Sequence, residues 1–107
     1  MRSLSLALAA ALLAAGQTSS PEQAYLSRVR RLTVEGKRAG EGYWSADGKR
    51  LVFQSEREPG NPFYQIYTLD LTTGASKRVS PGLGKTTCAF FRPHADEIEF
   101  ADRKSTR

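Results

Sequence analysis

The sequence predicts an all-β protein built on a repeated unit, and three observations predict it. From Arg31 onward, short runs of β-branched and aromatic residues alternate with turn signals, which is the pattern of strands rather than of helices. One of these runs, Leu51-Val52-Phe53, is contiguously apolar, as a strand covered on both faces requires. The chain also matches itself when slid by 47 positions. Arg31-Leu32-Thr33 then falls on Arg78-Val79-Ser80, Tyr43-Trp44 on Phe90-Phe91, Leu51 on Ile98 and Phe53 on Phe100.

The first residues stand outside this pattern. Met1-Arg2-Ser3 is a short basic start, and Leu4 to Ala15 is an unbroken run of Leu, Ala and one Ser. That run is shorter than the ~20 apolar residues a transmembrane helix needs. It fits the h-region of a secretory signal, with Ala14-Ala15-Gly16 supplying the small residues of a cleavage site. Residues 1–16 are therefore expected to be a removable signal peptide, and the protein to be periplasmic or secreted. Residues 17–30 read as a lead-in, in which Tyr25, Leu26 and Val29 have the spacing of one or two helical turns.

The strands follow in order. The first spans about Gly42 to Ser45 and ends at Ala46-Asp47-Gly48-Lys49, where Asp-Gly predicts a type I′ hairpin because both residues tolerate positive φ. The second is Arg50 to Ser55. A connection with two prolines, Glu56 to Pro62, separates it from a third strand that starts near Phe63 or Tyr64 and runs to Leu71. Thr72-Thr73-Gly74 closes another tight turn. Ser76 to Ser80 is polar and reads as an outer edge, since charges discourage edge pairing. The 47-residue register then places two further strands at Phe90 to Pro93 and Glu97 to Ala101.

Four strands in such a period make one β-propeller blade, given that WD-type blades run ~40–45 residues. The motifs agree. Trp44-Ser45-Ala46-Asp47-Gly48-Lys49-Arg50-Leu51-Val52-Phe53-Gln54-Ser55, then Ile66-Tyr67-Thr68-Leu69-Asp70-Leu71-Thr72-Thr73-Gly74, then Lys77-Arg78-Val79-Ser80 resembles the TolB-type propeller repeat. The resemblance covers Arg31 to about Ala101. Ala46 replaces the usual proline, and His94-Ala95-Asp96 stands where the second unit would carry Asp-Gly-Lys. The fold class expected is all-β, a fragment of a TolB-like propeller. Residues 31–80 form its first blade, and residues 81–107 a partial second blade with a polar tail.

Composition narrows the chemistry. The formal net charge is +5, but the basic residues are scattered beside Glu and Asp, without the dense cluster that nucleic-acid binding uses. Cys88 is the sole cysteine and His94 the sole histidine, so no disulfide and no local His/Cys metal set can form. Cys88, among Thr87, Ala89 and Phe90, is expected to be a small buried residue, and Trp44 to be core. Ser45, Ser55 and Ser80 lack a nucleophile-elbow context. Gly84-Lys85-Thr86 resembles the end of a phosphate loop, yet Val79 stands where its first glycine belongs.

A meander puts the tight turns at one end and the long connections 33–41, 56–62 and 81–87 at the other. Functional residues concentrate on long loops held by a rigid scaffold. Lys37, Arg38, Glu41, Arg57, Asn61, Phe63, Tyr64 and Lys85 are the expected protein-binding set there, mixing Arg with aromatics as interface hot spots do. Duller roles stand beside these. Phe63 and Tyr64 can begin the third strand and pack between blades, and Arg57 can belong to a solvated charge run with Glu56 and Glu58.

The resemblance implies a non-enzymatic envelope scaffold that binds envelope proteins or peptides. It implies no cofactor, no nucleic acid and no stable membrane insertion once the signal is removed. Two alternatives accompany it: the N-terminal propeller portion of an exported peptidase whose catalytic domain is missing, and a truncated product without function. Self-association through exposed blade faces is a further expectation, since repeat folds need ~3 or more units for stability.

Overall fold

The computed structural model describes residues 21–103, so the expected signal peptide and the polar tail from 104 onward lie outside the described residues. The chain divides into two compact units at Arg31/Leu32. In the first, the lead-in makes one 3-10 turn, Pro21–Ala24, with the Tyr25 and Leu26 N–H groups donating to the Glu22 carbonyl at 2.9 and 2.8 Å.

The second unit is all-β. β1 (Ala39–Trp44), β2 (Arg50–Ser55), β3 (Gln65–Asp70) and β4 (Ser76–Arg78) form a four-stranded antiparallel meander in the order β1-β2-β3-β4. β5 (Lys85–Phe91) and β6 (Ile98–Arg103) form a two-stranded antiparallel sheet. Among the described residues, no helix is long and apolar enough to cross a membrane.

The alternation of β2 and β3 builds the core. Val52 and Ile66 lie on one face of the four-stranded sheet and cluster with Ala89, Phe91, Ile98 and Phe100 from the second sheet. Phe53, Tyr67 and Leu69 lie on the opposite face, with Leu51 and Leu71 against them. The contiguous Leu51-Val52-Phe53 run is thus read correctly as a strand covered on both sides. Burying each such side chain contributes about 1.5–3 kcal/mol.

The 47-residue repeat extends to the backbone. In β1 the register slips between Gly40, opposite Gln54, and Tyr43, opposite Val52; in β5 it slips between Thr87, opposite Ala101, and Phe90, opposite Glu99. Each slip leaves one extra residue, a β-bulge. The bulges carry left-handed residues at matching positions, Glu41 at φ 46° and Cys88 at φ 57°. The hairpins close alike, through Ser45 N–H to Arg50 O and Arg92 N–H to Glu97 O, both 2.9 Å. The stacking is head to tail. Ile98 and Phe100, equivalents of Leu51 and Phe53, pack not on those residues but on Val52 and Ile66, the other face of the first unit.

Several sequence expectations need correction. β1 starts at Ala39, three residues early, because the ladder continues past the bulge to Ala39 opposite Ser55; glycines 40 and 42 suit the bulge rather than ending the strand. β5 starts at Lys85, not Phe90, since the β-branched Thr86 and Thr87 pair with Asp102 and Ala101. β4 ends at Arg78. Beyond it the Ser80 hydroxyl replaces a ladder carbonyl, accepting the Ile66 N–H at 2.9 Å. The first hairpin is not type I′: only Gly48 has positive φ, and its N–H donates to Ser45 O at 2.9 Å, a type I turn followed by a left-handed glycine.

Trp44 and Cys88 are exposed rather than buried. Trp44, 61% accessible, sits on edge strand β1, none of whose residues is buried. Cys88 is the bulged residue of β5, where the local reversal points the side chain outward.

Candidate functional site at the long-loop end

The strand polarity places the first residue of β1, β3 and β5 and the last of β2 and β4 at one end of the fold. An open cleft of about 530 Å³ lies there, lined by Gly36, Lys37 and the stretch Glu56 to Pro62. Gly36 makes its first wall. At φ 83°, a Cβ on this residue would stand 2.8 Å from the Glu56 carbonyl, so only glycine lets the chain turn there. The turn brings the Lys37 N–H to Glu56 O and the Glu56 N–H to Arg38 O, each at 2.9 Å.

Below the cleft sits Arg57, its side chain 9% exposed. The guanidinium lies over the rings of Tyr67 and Phe53, 4.7 and 5.2 Å from their centroids. Nε donates to Ser55 Oγ, and Nη1 to Glu35 and Ser76, at 3.1–3.2 Å. Nη2 is buried and meets no acceptor among the described residues. Arg57 is therefore part of the sheet's cover and not a residue of a solvated charge run.

Three ion pairs ring the cleft: Arg38 with Glu56, Arg57 with Glu35, and Arg78 with Glu58. Glu58 also accepts the Tyr67 hydroxyl at 2.5 Å; burial first, then this carboxylate, pushes the Tyr67 phenol well above its ordinary range. Lys37 and Lys85 have no carboxylate within ion-pair distance among the described residues. Both nevertheless act with Arg38 to hold the Glu56 carboxyl below its usual pKa, the Arg38 hydrogen bond being the largest cause.

Of the eight expected residues, Lys37, Arg57 and Asn61 line the cleft. Arg38 is beside it, its guanidinium 5.4 Å from the centroid of the half-buried Tyr64. Phe63 projects at the rim, 44% exposed, and Lys85 opens β5 rather than lying on a loop. Glu41 stands apart, in the β1 bulge. Asn61 is turned inward: its Nδ2 donates to the Gly82 and Gly84 carbonyls at 2.9 and 3.0 Å, and its Oδ1 accepts the Phe63 N–H. That staple holds the two glycines flanking Leu83, which is 77% exposed. Leu83 was legible only as an apolar residue between two glycines.

A second cleft, of about 280 Å³, lies at the tight-turn end between the two hairpins. Arg50 spans it, paired with Asp96 at 2.5 Å and stacked on Phe91. Ser45, Asp47 and His94 line it. The Ser45 hydroxyl donates to Asp47 at 2.6 Å and accepts the Arg50 N–H at 2.9 Å, with no hydrogen bond to His94 among the described residues. No group of three metal-ligating side chains comes together among them either.

The carboxylates of these turns make stability acid-sensitive. Ser45 Oγ and the Lys49 N–H hold Asp47 below its ordinary pKa, and the Thr73 and Thr72 N–H groups do so for Asp70. A lowered native pKa stabilises the fold above the unfolded value and loses that contribution as pH falls through the native one. The urea midpoint should hold from neutrality to about pH 5 and decline below about pH 4. Asp70→Asn should lower the neutral midpoint and flatten the decline. A wild-type profile level down to about pH 3 would contradict this assignment.

No family model, no curated protein and no solved structure matches the chain.

Proposed function

We propose that the protein is a portion of a TolB-like propeller and a non-enzymatic protein-binding scaffold of the cell envelope, docking partners at its long-loop end. The single observation that carries the fold reading is the backbone repeat: two hairpins with the same bulge, the same left-handed position and the same closing bond, 47 residues apart. Their head-to-tail stacking supports it as well, because heterologous contacts of this kind generate rings when the rotation closes. The apolar run at Leu4 to Ala15 supports export.

The docking reading rests on the exposed Phe63 and Leu83 beside a cleft with surplus basic residues. Aromatic anchors next to such groups are where binding energy concentrates. Capture of envelope proteins from an extract by the immobilised chain tests it. Phe63→Ala should reduce specific capture about tenfold or more, the loss expected of a hot-spot aromatic, with the circular dichroism spectrum unchanged. Equal capture by the variant would remove the proposed face. Arg57 is unsuitable for this test, since its substitution uncovers Phe53 and Tyr67.

A further inference from the structure

We propose that the occupant of the long-loop cleft is an acidic peptide segment, recognised through Lys37 and Lys85; this rests on the docking reading above. The carboxylates of the cleft are each already committed. Glu56 pairs with Arg38, Glu58 with Arg78 and the Tyr67 hydroxyl, and Glu35 with Arg57. What remains is cationic. Lys37 lines the cleft, Lys85 stands at the same end of the fold as the first residue of β5, whose next residue bonds the Tyr64 carbonyl, and neither has an ion-pair partner among the described residues.

The desolvated Arg57 under the floor strengthens this bias. Its own counter-charge, Glu35, is 74% exposed and so screened by water, whereas the Arg57 side chain is only 9% exposed. A cleft with low-dielectric walls focuses such a field toward its mouth. Five basic side chains, Lys37, Arg38, Arg57, Arg78 and Lys85, stand against three acids, Glu35, Glu56 and Glu58, and the excess positive charge attracts carboxylates. The exposed Phe63 and Leu83 favour a peptide over a small anion, because they offer apolar surface to side chains between the acidic ones.

The test is titration calorimetry of the full chain with capped hexapeptides in which alanine alternates with glutamate or with glutamine. The glutamate peptide should bind ~5–10-fold more tightly, the preference two partly screened ion pairs supply. That preference should shrink between ~50 and ~200 mM salt. The double variant Lys37→Gln with Lys85→Gln should abolish it while keeping the wild-type thermal melt. Equal affinity for both peptides, or a preference that survives in the double variant, overturns the inference. If neither peptide binds while capture of envelope proteins still depends on Phe63, the acidic-peptide inference falls and the docking reading stands. If neither binds and capture ignores Phe63, both fall.

Discussion

Gln65→Leu is expected to remove much of the protein's stability at neutral pH. Gln65 is wholly buried at the start of β3, and each end of its amide makes two bonds. Oε1 accepts from the Ser80 hydroxyl at 2.7 Å and the Gly82 N–H at 2.9 Å. Nε2 donates to the Tyr64 and Gly84 carbonyls at 2.9 and 2.8 Å. The two carbonyls keep other donors, Thr86 N–H for Tyr64 and Asn61 Nδ2 for Gly84. The Ser80 hydroxyl and Gly82 N–H lose theirs. A buried donor orphaned at about 1–3 kcal/mol, with a part-buried one at about 1 kcal/mol, gives a loss of about 2–4 kcal/mol. That is a large share of the stability of a small domain, ~5 kcal/mol at the low end.

Urea denaturation followed by tryptophan fluorescence measures this loss. Ser80→Ala supplies the control, because it removes the hydroxyl that Gln65 would strand. The double variant should cost at least about 1 kcal/mol less than the sum of the singles, as groups in one hydrogen-bond network do. Strict additivity would mean that the network does not hold the 80–84 connection.

The second large effect is expected from Ile66→Ala. Ile66 is fully buried at the seam where the second hairpin meets the first sheet, against Val52, Ala89, Phe91, Ile98 and Phe100. Truncation removes three carbons from a site lined on both sides, and the loss should be about 2–5 kcal/mol. Location distinguishes it from an equal loss elsewhere. Hydrogen exchange should accelerate first in β5 and β6, whose hold on the four-stranded sheet runs through this cluster. Phe53→Ala, on the opposite face with Tyr67 and Leu69, should leave the order of exchange among β5, β6 and β1 closer to wild type. Uniform acceleration in Ile66→Ala would show that the two hairpins do not open separately.

Much of the fold was legible because it depends on local chemistry. Alternation and contiguous apolarity in β2 and β3 identify strands whatever lies beyond them, and Gly48 and Gly74 mark turns by their tolerance of positive φ. The errors fall where a residue's fate is set by a distant partner. Gly40 read as loop, but the ladder continues past the bulge opposite Phe53 and pairs it with Gln54 in a strand. Lys85 to Thr87 read as loop, but residues 101–103 pair with them. The 47-residue register already equated Lys85 with Arg38, whose carbonyl accepts the Glu56 N–H and the Ser55 hydroxyl at the end of its own hairpin.

The candidate site divides the same way. Lys37, Arg57, Asn61 and Phe63 were gathered at one end by counting turns, since a meander alternates its connections. Counting says nothing of which way each side chain faces. Asn61 and Arg57, polar and charged in sequence, serve the interior because backbone carbonyls and the Phe53 and Tyr67 rings await them there. Leu83, apolar in sequence, is displayed because that staple holds its neighbours.

By itself, then, the sequence determined the all-β class, the order of the strands and the 47-residue period, all of which follow from side-chain alternation and turn chemistry within a few residues. Only the tertiary structure decided which face of the second hairpin meets the first, which acids are neutralised and which lysines are left over. Those outcomes depend on groups 18 or more positions apart in the chain, such as Arg38 with Glu56 and Arg78 with Glu58, and no local pattern encodes which distant partner a charge will find.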